Sequence, residues 1–275
     1  MKFFDSHAHI DDERFNEDRE EIIKQIKESD VRAFVSAGYS LEGSLRAVQY
    51  AKNYDFIYST VGISPNDIPQ SEEELRKTLE ETENLILKTR EEITDKKIIV
   101  AIGEIGLDYY WEKDDKMRDL QKKAFIAQIN MANKLDLPIV IHTRDAVMDT
   151  IQILKEKQVN KKGVFHCCPL NRELVKEALK LGFYISFAGP VTFKNSKNAN
   201  EIIEMVPNNR MLIETDSPYL APEPVRGTRN DPRNVKYIAS KIADVKGISL
   251  EEVAKITFEN VKSIFGIWVI LLLYL

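Results

Sequence analysis

At 275 residues the chain is long enough for one large domain or two small ones. Apolar residues at 43%, charged residues at 30%, and only 11 Gly and 10 Pro exclude a disordered, fibrous or collagen-like protein. A net charge of −5 argues against tight nonspecific binding of nucleic acid through bulk charge, although a local basic rim around a pocket is compatible with that sum.

The chain opens with Lys2-Phe3-Phe4-Asp5-Ser6-His7-Ala8-His9, an apolar run that passes into two histidines one residue apart. Alternate side chains of a strand share a face, so His7 and His9 project together if this run is extended, with Asp5 lower on the same face to anchor a histidine or fill a polar layer. Residues 13 to 28 carry Phe15, Ile22, Ile23 and Ile26 at helical spacing, and residues 31 to 38 then predict a second strand. Helix 41–53 precedes strand 56–63, and the long charged helix 71–92 precedes strand 97–104. Helix 116–135 leads into strand 137–142, helix 145–157 into strand 163–166, and helix 171–181 into strand 183–188. A helix over 197–205 brings strand 211–216. Residues 232–246 and 249–265 predict two closing helices, with Ser249 and Glu252 as a capping box.

Eight short apolar strands alternating with amphipathic helices predict an α/β fold, a closed (β/α)8 TIM barrel, as a single domain over residues 1–266. The alternative, an open doubly wound sheet, lacks support from any Gly-x-Gly-x-x-Gly or phosphate-loop pattern after a strand. The apolar run 267–275 is far shorter than the roughly 20 residues that cross a bilayer. It is expected to pack on the barrel, the alternatives being a partner-binding tail or an altered reading-frame end. No membrane span and no secretory leader are expected, and the adjacent Cys167 and Cys168 offer no disulfide framework, which together favour a reducing, cytoplasmic setting. A monomer is the expected state.

The chemistry gathers at strand ends. The four histidines of the chain, His7, His9, His142 and His166, all fall at the C-terminal ends of predicted strands 1, 5 and 6. Such positions are about a tenth of a barrel chain, so coincidence of all four is on the order of one in 10,000, and the pattern points to a metal centre. Glu104 and Asp216 end strands 4 and 8 after apolar runs. A carboxylate has little reason to terminate a buried strand unless it is paired, ligated or catalytic. Four imidazoles and two carboxylates exceed one four-coordinate ion and suit two ions bridged by a carboxylate, for which Glu104 is the candidate.

The blocks Asp5-Ser6-His7-Ala8-His9, Gly103-Glu104-Ile105-Gly106-Leu107-Asp108-Tyr109, Ile141-His142-Thr143-Arg144, Phe165-His166-Cys167, Glu214-Thr215-Asp216-Ser217-Pro218-Tyr219-Leu220-Ala221-Pro222 and Arg226-Gly227-Thr228-Arg229-Asn230-Asp231-Pro232 occur in order across the chain. In them the sequence resembles the TatD family of metal-dependent deoxyribonucleases. The resemblance implies a metal-dependent hydrolase barrel of the amidohydrolase superfamily, with DNA as substrate. It makes His7, His9 and Asp216 ligands of one divalent ion, His142 and His166 ligands of a second, and Glu104 the shared ligand. The ions, Mg, Mn or Zn, would bring a bound water toward neutral pKa, with Asp216 as its proton acceptor.

Arg144, Arg226 and Arg229 are candidates for phosphate contacts, their alternative being ordinary surface ion pairs. Tyr109, Tyr110 and Trp111 are candidates for stacking on an unpaired base or for packing over the barrel mouth, and Asp108 for orienting a ligand or capping its turn. Two departures from the family pattern stand out. Ser64 replaces the histidine of Gly-x-His-Pro, and Cys168-Pro169-Leu170 replaces Phe-Ser-Gly after His-Cys; Cys167 itself is expected to point away from His166 and pack. The primary expectation is a two-metal exonuclease acting on single-stranded DNA or DNA ends. The alternatives are an amide, ester or lactone hydrolase using the same ions, and a barrel that binds metal or a partner without turnover.

Overall fold

The computed structural model describes residues 1–267; of the apolar tail expected over 267–275, all but Ile267 lies outside the described residues. Eight parallel strands form one sheet in sequential order: β1 (Phe3–Ala8), β2 (Val31–Ser36), β3 (Ile57–Val61), β4 (Ile99–Asp108), β5 (Ile139–Arg144), β6 (Gly163–Phe165), β7 (Tyr184–Phe187) and β8 (Met211–Ile213). Between them lie α1 (Arg19–Glu28), α2 (Leu41–Asn53), α3 (Glu72–Glu92), α4 (Asp115–Leu135), α5 (Val147–Glu156), α6 (Arg172–Lys180) and α7 (Ala199–Met205), with α8 (Val235–Lys246) and α9 (Leu250–Phe265) closing the chain. The expected (β/α)8 barrel is therefore present. Among the described residues no helix is long and apolar enough to cross a membrane.

The barrel closes through the segment after β8. Asp216 N donates to His7 O at 3.0 Å and His9 N to Ser217 O at 2.7 Å, so the chain beyond Ile213 continues the barrel wall against β1. Below this, Asp5 accepts Thr215 N at 3.0 Å and Thr215 Oγ1 at 2.5 Å. Asp5 thus anchors the β1–β8 seam, and it also accepts the backbone N–H of His7 at 3.2 Å.

Helices are set by caps and by apolar faces. Ser40, Ser71, Asp114 and Asn171 each accept a backbone N–H of the first turn. Ser249 Oγ accepts Glu252 N at 3.1 Å, one half of the capping box expected there. The α9 face of Val253, Phe258, Val261 and Phe265 is buried, each such side chain contributing about 1.5–3 kcal/mol.

Among the boundaries that differ from expectation, three bear on the rim of the barrel. Residues 13 to 28 do not form one helix: a short 3-10 turn, Glu13–Phe15, precedes α1. Arg19 donates to the carbonyls of Ile10, Asp11 and Asp12, folding the chain back before the helix starts. β4 runs on to Asp108, because Gly106, at φ +142°, lets the chain pass against the His142 carbonyl where any Cβ would collide. β8 ends at Ile213, three residues before Asp216, which sits at φ +53°, a conformation aspartate tolerates.

Candidate metal centre

Parallel strands deliver all their C-terminal ends to one rim, and the chemistry collects there. His7 lies within β1 and His9 one residue past it, Glu104 and Asp108 within β4, His142 within β5, and His166 one residue past β6. All are buried except His142, which is partly exposed, and Asp216, whose side chain is 14% exposed.

Glu104 is the centre of the arrangement. Its Oε1 is 2.9 Å from His142 Nδ1 and 3.3 Å from His166 Nε2. Its Oε2 is 3.4 Å from His7 Nε2 and 3.7 Å from His9 Nε2. Asp216 Oδ1 joins the second group at 3.8 Å from His7 Nε2 and 3.5 Å from His9 Nε2. The six predicted ligand positions are therefore brought together as two groups that share the Glu104 carboxylate, one with His7, His9 and Asp216 and the other with His142 and His166.

The donors fit cations. His7 Nε2 and His9 Nε2 face each other at 3.2 Å, as do His142 Nδ1 and His166 Nε2 at 3.1 Å. Imidazole nitrogens aimed at each other repel unless a proton or a metal ion lies between or beside them, and carboxylate oxygens complete a nitrogen–oxygen set suited to divalent ions. Overlapping triads, His7-His9-Glu104, His7-His166-Asp216 and Glu104-His142-His166, each have their ligand atoms within 4.8 Å of one another.

The surrounding charges are consistent with that fit. Burial alone would raise Glu104, but the His166 charge and hydrogen bonds from His142, His166 and His7 hold its carboxyl well below the usual range. Asp216 is likewise lowered, burial being outweighed by His9, His166 and His7. Burial and the neighbouring His166 lower His7, whose ring stacks on His166 at 4.1 Å. Burial opposes charge on His9 too, yet Asp216, Glu104 and Asp11 push it up to about 9.

Outer contacts turn the imidazoles. Asp108 Oδ2 is 3.1 Å from His142 Nε2, leaving Nδ1 for Glu104. Glu214 Oε1 lies 3.4 Å from His166 Nδ1 while accepting Cys167 N at 2.6 Å. Sequence reading gave no role to Glu214, although it meets the buried-carboxylate criterion applied to Asp216 two residues later. It also missed Asp11, Tyr39 and Arg46, which are joined across 35 residues by Arg46 Nε to Asp11 Oδ2 at 3.0 Å and Arg46 to Tyr39 Oη at 2.8 Å. No local pattern signals such a link.

The remaining candidates separate. The Arg144 guanidinium makes no ion pair or hydrogen bond among the described residues and lies 3.8 Å from the Tyr110 ring centroid. Arg226 lies over Phe193 and 4.0 Å from Glu223. Arg229 is held by both oxygens of Asp18, at 2.8 and 2.6 Å, and donates to Arg14 O. Tyr109 is half-buried, with its hydroxyl donating to Asp149 at 2.7 Å. Ser64 is buried, and its hydroxyl donates to Asp67 at 2.6 Å. Cys167 is not on a strand: β6 stops at Phe165, and Cys167 turns at φ +37°, half-buried, with burial and the charges of Asp216 and Glu214 raising its thiol.

An eight-stranded parallel barrel with this histidine and carboxylate rim has the make-up of a metal-dependent hydrolase. The family model described as TatD related DNase matches residues 4–266, and the chain belongs to that family. YabD of Bacillus subtilis strain 168, named an uncharacterized metal-dependent hydrolase, is 43% identical over 266 residues, covering 96% of this chain and 99% of that protein. YcfH of Escherichia coli K12, named likewise, is 36% identical over 274 residues, 97% of each chain. The crystal structure of YJJV, a TatD homolog from Escherichia coli K12, shares the fold with a TM-score of 0.86 at 23% identity, over 97% of this chain and 98% of that one.

Proposed function

We propose that the protein is a two-metal phosphodiesterase that cleaves DNA, acting as an exonuclease on single-stranded DNA or at DNA ends, with residues 1–266 as its barrel domain. The observation that carries this reading is the Glu104 carboxylate, with one oxygen toward His142 and His166 and the other toward His7 and His9. On this reading His7, His9 and Asp216 hold one divalent cation, His142 and His166 hold another, and Glu104 is common to both; Mg, Mn and Zn all suit the donor set. When bound, the cations supply Lewis acidity toward a phosphoryl oxygen and toward the attacking water.

The chain's own groups do the rest. Asp216, kept ionised by its histidine neighbours, accepts a proton as the water oxygen bonds to phosphorus and the ester P–O bond breaks, and that proton then passes to the departing alkoxide oxygen. Asp108 and Glu214 hold the His142 and His166 rings in orientation. Arg144, unpaired among the described residues and two residues beyond His142 on β5, is the phosphate contact the geometry favours, with Arg226 as a second cation. Arg229, already engaged by Asp18, serves the fold.

The test is an assay of the purified protein on 5′- and 3′-labelled single-stranded DNA with Mg, Mn or Zn, beside Glu104→Ala. Metal-dependent shortening from one end, lost in the variant, is expected. No metal-dependent cleavage of DNA, with esterase or lactonase turnover in its place, would overturn the proposal in favour of a small-molecule hydrolase.

A further inference from the structure

Just beyond the end of β4, two large aromatic side chains stand in solvent. Trp111 is 66% exposed and Tyr110 44%, edge to face at 4.7 Å between centroids. The Arg144 guanidinium lies over Tyr110 at 3.8 Å and near Trp111 at 5.6 Å. Exposed tryptophan with an exposed arginine beside it is the composition of a surface that receives a flat ring next to a negative charge.

Two observations tie this surface to the metal centre. Asp108 Oδ1 accepts Tyr110 N at 2.9 Å and Trp111 N at 3.1 Å, while its other oxygen, Oδ2, is 3.1 Å from His142 Nε2. One buried carboxylate therefore pins the aromatic turn and a metal-ligand ring together. Arg144 follows His142 by two residues on β5 and so shares its face, about 7 Å farther along the strand toward the mouth. Beside Trp111 a cleft of about 370 Å³ opens against the loop from Pro65 to Gln70.

We propose that Tyr110, Trp111 and Arg144 form a nucleobase subsite for single-stranded DNA. Trp111 stacks on an unpaired base next to the cleaved bond, and Arg144, stacked on Tyr110, contacts the adjoining phosphate. This rests on the phosphodiesterase reading and adds its substrate contact. Tyr109 is outside the subsite, because its hydroxyl is bound to Asp149 and its ring is covered by Arg118 at 4.7 Å.

The experiment uses the full chain, an ordinary single-stranded oligonucleotide, and the same strand with abasic residues at the cleaved end. Trp111→Ala is expected to raise KM for the ordinary strand on the order of tenfold, leave kcat nearly unchanged, and leave KM for the abasic strand unaltered. Trp111→Phe restores the ordinary KM. A KM that does not move, or that rises equally on both strands, overturns the subsite. Should the wild-type protein cleave no DNA, the proposed function falls, and fluorescence of the chelator-treated protein decides the subsite. A saturable quench by the ordinary oligonucleotide, absent from Trp111→Phe, keeps it; no quench, or the same quench in Trp111→Phe from Trp268, removes it.

Discussion

Asp5 and Thr215, 210 residues apart, are joined by two hydrogen bonds to the same buried carboxyl, from Thr215 N and Thr215 Oγ1. Asp5 also accepts His7 N at 3.2 Å, so this contact sets the position of both the first histidine and the segment that carries Asp216. Burial raises the Asp5 carboxyl well above its ordinary pKa, with the Thr215 and His7 bonds opposing that rise. Thr215→Val deprives Asp5 of a donor and Ser217 N of its acceptor. It is expected to cost about 2 kcal/mol, read as a fall in Tm of several degrees, and to weaken cation binding in a titration.

Cation binding should depend on pH in a defined direction. Without a cation, burial disfavours charge on His9, but Asp216, Glu104 and Asp11 hold its pKa at about 9, above its ordinary 6.5. His166 is raised well above its ordinary value as well, Glu104 and Glu214 outweighing its burial. A raised histidine adds stability that is complete below about 6.5 and is lost as pH rises through the folded value. Thermal melts of chelator-treated protein should therefore fall between pH 6.5 and 9. Affinity for a divalent cation should rise across the same window, by up to about tenfold per pH unit for each proton displaced, with the proton release measured calorimetrically in buffers of different ionisation enthalpy.

The arginines divide by partner. Arg144→Ala should raise KM on single-stranded DNA and reduce the slope of log affinity against log salt by about 0.7, the share of one phosphate contact. Arg229→Ala removes an exposed pair with Asp18 and should leave that slope unchanged, with at most about 1 kcal/mol lost from stability. Equal slopes for the two variants would remove Arg144 from the phosphate.

At the opposite end of the barrel, Lys96 Nζ donates to three carbonyls, Ala51 O, Tyr54 O and Ile57 O, at 2.9, 2.8 and 2.9 Å. It ties the end of α2 to the start of β3. Lys96→Met should destabilise the protein by about 1–3 kcal/mol, seen in denaturant midpoint, while cation content per folded molecule stays that of the wild type.

The barrel and its candidate ligand inventory are legible in the sequence because both rest on local properties. Periodicity sorts strands from helices within a few residues, and four histidines with two carboxylates at strand ends identify themselves by chemical type. Where local geometry is irregular, the reading stops short: Gly106 extends β4 beyond Glu104, and Arg19 breaks the first helix. Only closure of the barrel decides which atoms meet. It turns the two Glu104 oxygens toward different histidine pairs, gives Arg229 to Asp18 while leaving Arg144 without a partner among the described residues, and sets Asp5 on Thr215. These are pairings between side chains distant in sequence, fixed by strand register and packing, and no single stretch of the chain encodes them.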